Sequence, residues 1–203
     1  MKIRAGYEIS YECPQPIPMI LTLSVHPSRF SDLLTPDRMR LDPPIPANTY
    51  HDSFGNFCHV IRAPAGRLTF STDFLVEDKG EPDAMAPQAE QHALEDLPVE
   101  ALIYLLGSRY CETDRLSNMA WSLFGQVRKG WPLVKAICDY VHDRITFSYA
   151  HASPTKTAFD AYTEKWGVCR DFAHLAVTLC RCMNVPARYC TSYLGDLGMP
   201  PDD

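Results

Sequence analysis

Long apolar runs are missing from this 203-residue chain. That excludes a helical membrane span, which needs about 20 consecutive apolar residues. The opening residues Met1-Lys2-Ile3-Arg4-Ala5-Gly6-Tyr7-Glu8 alternate apolar and polar and hold no secretory h-region. Excess positive charge is missing too. Lys and Arg number 19 against 25 Asp and Glu, a formal net charge of -6, so neither a nucleic-acid partner nor an anionic membrane partner is expected. No C-x-x-C or H-x-x-x-H pair occurs, and Cys180 and Cys182, one residue apart on a helix, diverge by about 160°. No metal site and no cofactor are therefore expected. Without an export signal the cysteines read as reduced thiols of a bacterial-type cytoplasmic protein. Cys13, Cys58, Cys111, Cys138, Cys180, Cys182 and Cys190 are expected to fill space as small hydrophobes.

What is present is a globular balance, 46% hydrophobic and 22% charged residues, which argues against disorder over most of the length. The pattern divides the chain. Ile3, Ala5, Tyr7, Ile9 and Tyr11 alternate with polar neighbours, the period of a half-buried strand. Met19 to Val25, Phe57 to Arg62 and Leu68 to Val76 are further strands, the last with Leu68, Phe70, Phe74 and Val76 on one face. Pro64-Ala65-Gly66 reads as the turn of a hairpin between the last two. Residues 1–80 are thus expected to form an antiparallel β-sandwich-like module. Residues 81–95, with two prolines nearby and no period, read as a linker.

Residues 96–203 turn helical. Pro98 to Leu106 is a short helix stopped by Gly107. A second carries Leu116, Met119, Ala120 and Leu123 on one face, and a third, opened by Pro132, carries Leu133, Val134, Ile137, Cys138 and Val141. Ile145 to Tyr149 reads as extended, a fourth helix runs from about Cys169 to Met183, and Val185 to Leu194 reads as a strand. The expected fold class is α+β.

The fourth helix places Phe172, Leu175, Ala176, Leu179 and Met183 on its buried face, with Cys169 one turn before Phe172. The helix dipole and its unpaired N–H groups favour a thiolate at such a start. Gly167 permits a sharp turn beside the sulfur, and first-turn N–H groups can hold an oxyanion. Cys169 is therefore a candidate nucleophile and backbone oxyanion donor. A cysteine on an apolar helix face is, taken alone, more often a buried hydrophobe. His174, five residues on, lies about 140° around the helix and is expected to face solvent or bond locally. His151 follows Tyr149 in a loop, and no spacing demands that it approach Cys169. Arg170 and Asp171 are expected to pair with neighbouring loops.

Gly167-Val168-Cys169-Arg170-Asp171-Phe172-Ala173-His174-Leu175, with Asn184-Val185-Pro186-Ala187-Arg188-Tyr189 beyond and Pro154-Thr155-Lys156-Thr157-Ala158 before, resembles the core of the transglutaminase-like superfamily. The resemblance covers about Trp131 to the C-terminus, and the β-rich module resembles the companion domain of bacterial members. It implies a papain-like fold with Cys, His and Asp in that chain order. Only Cys169 maps onto that set. The His and Asp are expected beyond Asp203, which makes this an incomplete, C-terminally truncated core. A strand at Val185–Leu194 without a downstream partner agrees with that expectation. Tyr149 is a candidate oxyanion side chain and Trp166 and Gly167 are candidate substrate contacts, with the packed aromatic as the competing reading for Tyr149 and Trp166.

Two functions follow. In the first, Cys169 attacks a peptide or amide carbonyl of a peptide or protein substrate to form a thioester, and water completes a hydrolysis. The 203-residue chain alone is then expected to be inactive. In the second, the protein is a non-catalytic interaction protein working through its β module. Oligomeric state is not legible.

Overall fold

The structure, a computed structural model, describes residues 1–82 and 84–193. It has two compact units, Met1–Asp83 with the segment from Ser192 on, and Ala84–Thr191. Mixed strand and helix with antiparallel sheets makes the chain α+β.

The first unit holds six strands: β1 (Lys2–Cys13), β2 (Ile17–Leu21), β3 (Arg40–Asp42), β4 (Ala47–His51), β5 (Phe57–Ala63) and β6 (Gly66–Glu77). They form two antiparallel sheets ordered β1-β6-β3 and β2-β5-β4. Alternation in β1 and β6 is what pairs them from Lys2↔Glu77 to Cys13↔Gly66, because only that register buries one row of side chains. The core takes Cys13, Leu68 and Phe70 from one sheet and Leu21, Ile61 and Ala63 from the other.

Pro64-Ala65-Gly66 is not the turn of a hairpin. It carries the chain from one sheet to the other, since β5 pairs with β2 and β4 while β6 pairs with β1 and β3. Stacked face to face, Ile61 and Ala63 meet Leu68 and Phe70 in one core, burial that edge-to-edge pairing would not achieve. Strand β2 starts and ends earlier than its apolar pattern suggested, and as an edge strand it tolerates Pro18. Strands β3 and β4 are short and mostly exposed, which is why no alternation announced them.

The second unit packs α1 (Thr113–Phe124), α2 (Trp131–Arg144) and α3 (Ala158–Glu164) around α4 (Cys169–Cys182), with a two-residue parallel pair β7 (Thr146–Phe147) and β8 (Trp166–Gly167). The residues expected to form a linker are tied to this unit. The Trp131 N–H donates to the Ala89 carbonyl at 3.0 Å, and a Cβ on Gly130 would lie 2.1 Å from that same oxygen. The stretch after Pro98 is a 3-10 helix, Val99–Leu105.

Leu116, Ala120 and Phe124 form the buried stripe of α1, and Leu133, Ile137 and Val141 that of α2. Leu123 and Cys138, expected in these stripes, are exposed at their margins. Helix α4 was expected to bury one face. Covered by three helices, it buries Leu175, Val177, Thr178, Leu179, Cys180 and Cys182, most of its circumference. Burial pushes the Cys180 thiol up to about 12 and the Cys182 thiol up to about 11, so both remain neutral hydrophobes.

Helix α4 ends in a Schellman motif. The Val185 N–H donates to the Cys180 carbonyl at 2.9 Å and the Asn184 N–H to the Arg181 carbonyl at 3.0 Å, with Asn184 left-handed at φ 61°. Val185 to Tyr193 then runs without forming a strand, and Leu194 lies outside the described residues. An apolar, β-branched sequence alone does not make a strand, and no described segment pairs with this one. Among its links are a hydrogen bond from the Ala187 N–H to the Tyr104 carbonyl at 3.1 Å and one from the Arg181 guanidinium to the Ala187 carbonyl at 2.8 Å.

Leu179 is fully buried where the helices meet. Leu179→Ala is expected to lower the unfolding free energy of this unit by about 2–5 kcal/mol, read as a lower urea midpoint by far-UV circular dichroism. An unchanged midpoint would show that α4 is not the centre of this core.

Candidate active site

The site is built from the backbone that delivers Cys169. Helix α3 begins with a capping box: the Asp160 N–H donates to Thr157 Oγ1 at 3.2 Å, and the Thr157 N–H donates to Asp160 Oδ2 at 3.0 Å. It ends at Lys165, left-handed at φ 64°, which turns the chain into β8. There the Thr146 N–H donates to the Lys165 carbonyl at 2.8 Å and the Ser148 N–H to the Gly167 carbonyl at 2.9 Å. The lead-in to α4 is thereby held in register with β7.

Cys169 is the first residue of α4, after the N-cap Val168, and it is exposed. It was expected on the buried face. At the helix start the packed layer has not yet closed over it, whereas Leu175 and Leu179 further along are sealed. The start is fixed by Asp171. Its carboxylate, 0% exposed, accepts from the Val168 N–H at 2.9 Å, so an acidic side chain in the first turn satisfies an orphan N–H and meets the positive end of the dipole. Asp171 was expected to pair with loops; it caps its own helix instead. Gly167 serves this cap rather than a special turn, because a Cβ there would lie 2.7 Å from Asp171 Oδ2. Arg170 does reach a loop, donating to the Ser153 carbonyl, with Asp171 Oδ1 3.4 Å away.

The other candidates flank this start. Trp166 is 41% exposed and stacks on His151 with ring centroids 5.0 Å apart. Tyr149 opens a 3-10 turn, Tyr149–His151, is 53% exposed, and lies edge-on to Phe147 at 5.0 Å. Phe147 is paired with Gly167 and lies 6.4 Å from the Phe172 ring. His151 Nδ1 is 3.0 Å from Ser148 Oγ. His142 is exposed beside Asp143 at the end of α2. Tyr162 packs under the Arg144 guanidinium at 4.3 Å.

His174 is not solvent-facing. It is 7% exposed, stacked on Tyr110 at 5.2 Å and 5.1 Å from the Tyr189 ring. The helix that turns it away from Cys169 turns it into the packing between Tyr110 and Tyr189. Burial holds its pKa below the usual histidine range, the Arg170 charge adds to this, and Asp171 opposes it. Burial likewise raises the Tyr189 phenol, and the negative charge of a Cys169 thiolate raises it further. Tyr189 thus lies within electrostatic reach of the sulfur, on the segment expected as a strand. Lys156 also escaped the sequence reading as a functional residue. Its side chain is 4% exposed and its Nζ donates to the His151 and Trp166 carbonyls, each at 3.0 Å. Only a lysine amid Thr and Ala, with no partner visible in the sequence, could have signalled it. Among the free cysteines Cys190 is exposed, contrary to its expected filling role, because it lies on the segment without a ladder.

His174 makes stability depend on pH. Its neutral form is favoured in the folded state, so its contribution is complete above the unfolded pKa of about 6.5 and is lost as pH falls below that value. The urea midpoint is therefore expected to fall between about pH 7 and about pH 5, and His174→Gln is expected to flatten the slope. An equal slope in both proteins would place the titration elsewhere.

Parts of the sequence and the fold have counterparts among known proteins. Residues 124–199 match the family model of the transglutaminase-like superfamily. No curated protein matches the sequence. A solved structure from Cytophaga hutchinsonii, described as "a Putative Cysteine Protease", is similar with a TM-score of 0.77 and 24% identity, over 92% of this chain and 67% of that one. At that identity the likeness speaks for the fold. The motif around Cys169 lies within the stretch that matches the family model, and the solved structure shares the fold of the chain around it.

Proposed function

We propose that the protein is a cysteine enzyme in which Cys169 attacks a peptide or amide carbonyl. The observation that carries this reading is an exposed thiol at the first residue of α4, on a backbone held by Asp171 and β7. The sulfur adds to the carbonyl carbon, first-turn N–H groups face the developing oxyanion, the C–N bond breaks, and the amine leaves with a proton. Water then attacks the thioester, releasing a carboxylic acid and returning the proton to the thiol. No cofactor is required for either half.

The base that moves these protons, and the carboxylate that orients it, are assigned to a His and an Asp beyond residue 203. The placement of three histidines supports this: His151 is engaged with Trp166 and Ser148, His174 is buried between two tyrosines, and His142 sits at the exposed end of α2. The greater length of the similar Cytophaga chain is consistent with it. Trp166, Gly167 and Tyr149 are assigned to the substrate side, Tyr149 as an oxyanion donor. The substrate is a peptide or protein, hydrolysis is the favoured outcome, and the cytoplasm the favoured location.

Of the three exposed thiols, Cys138, Cys169 and Cys190, Cys169 is expected to be alkylated fastest by iodoacetamide near neutral pH, as resolved by peptide mass spectrometry. Labelling of Cys169 no faster than the other two would count against a nucleophile. Residues 1–203 alone are expected to show no peptide or amide turnover. Turnover by this chain that disappears in Cys169→Ala would overturn the assignment of the base beyond residue 203.

A further inference from the structure

Lys156 is a charged group buried where an apolar one would ordinarily sit. Its side chain is 4% exposed. All three ammonium donors are in use: the His151 carbonyl at 3.0 Å, the Trp166 carbonyl at 3.0 Å and Glu164 Oε2 at 2.8 Å. Taking an ammonium out of water is costly, and a well-packed apolar side chain in such a place is often as stable or more so. The carboxylate partner is 53% exposed, so its attraction is weakened by solvent. Stability is therefore a poor account of this lysine.

Its position offers a better one. One carbonyl belongs to the Tyr149–His151 turn and the other to the β8 lead-in to Cys169, Trp166–Gly167. These segments also meet through the His151–Trp166 stack at 5.0 Å and the bond from the Ser148 N–H to the Gly167 carbonyl at 2.9 Å. Lys156 joins them from the interior, and a point charge with three short donors fixes carbonyl directions as a methylene chain cannot.

We propose that Lys156 is a positioning residue for the Cys169 site, fixing the orientation of the joined Tyr149–His151 and Trp166–Gly167 segments and, through β8, the backbone that leads into Cys169. It acts through the His151 and Trp166 carbonyls and not on the reacting atoms. The proposal rests on the reading of Cys169 as nucleophile.

Lys156→Met keeps the chain's bulk and removes the donors. In hydrogen exchange by mass spectrometry, peptides covering 146–151 and 165–168 are expected to exchange at least about tenfold faster, while the central peptides of α4 stay as in the wild type. A peptidyl vinyl sulfone, whose peptide must be aligned at the start of α4 for the sulfur to attack, is expected to label Cys169 at least about tenfold more slowly, while iodoacetamide labels the exposed Cys138 at the wild-type rate. Glu164→Gln leaves both carbonyl bonds in place and is expected to stay within about twofold of wild type in both assays. The proposal is overturned if exchange in the two segments is unchanged, if it rises without slowing the vinyl sulfone, or if Glu164→Gln reproduces the full effect. A wild-type Cys169 no faster toward iodoacetamide than Cys138 would instead sink the nucleophile reading, and raised exchange would then report a structural tie alone.

Discussion

The fully buried Asp171 carboxylate accepting the Val168 N–H at 2.9 Å is the contact on which the start of α4, and the placement of Cys169, depends. A buried carboxylate without partners would be expensive, and this one is tolerated because it sits in the first turn of α4, where an orphan N–H and the positive end of the dipole meet it. The contact also constrains the residue before the cap. Gly167 is there because any Cβ would strike the Asp171 side chain. Glycine, cap and cysteine are thus one mechanical unit: moving the carboxylate moves the point at which the helix starts, and with it the sulfur.

Around that unit the fold supplies rigidity from two sides. Helix α4 is clasped by α1, α2 and α3 over most of its circumference, and its far end is closed by the Schellman motif at Asn184. The lead-in is held by the parallel pairing of β7 with β8 and by Lys156. Cys169 stands at the margin of this packing, in contact with solvent. This pairing of a held backbone with an accessible side chain, which the proposed role of Cys169 calls for, arises because the first turn of a central helix projects beyond the layer that buries the rest.

Several features were readable from the chain alone. Period-two alternation in β1 and β6 announced the sandwich, because a register slip would expose a whole apolar row. The start of α4 was legible from Gly167-Val168-Cys169 followed by apolar residues at helical spacing. Several of the misreadings concern partners distant in sequence. Pro64-Ala65-Gly66 looks the same whether the next strand pairs beside β5 or stacks over it. Val185–Tyr193 has strand composition and no described strand to pair with. His174 was placed by helical angle as solvent-facing or bonded locally, and the angle cannot know that Tyr110 and Tyr189 cover that side.

By itself the sequence determined the α+β class and the start of α4, and it pointed to Cys169 as the residue at which chemistry is expected, since periodicity, caps and the motif around Cys169 are local properties of the chain. Tertiary structure alone decided which sheet each strand joined, that His174 is buried and that Lys156 spans two backbone segments. These are contacts between residues whose neighbourhood is created only when helices and sheets pack, and burial, not spacing, sets their energies.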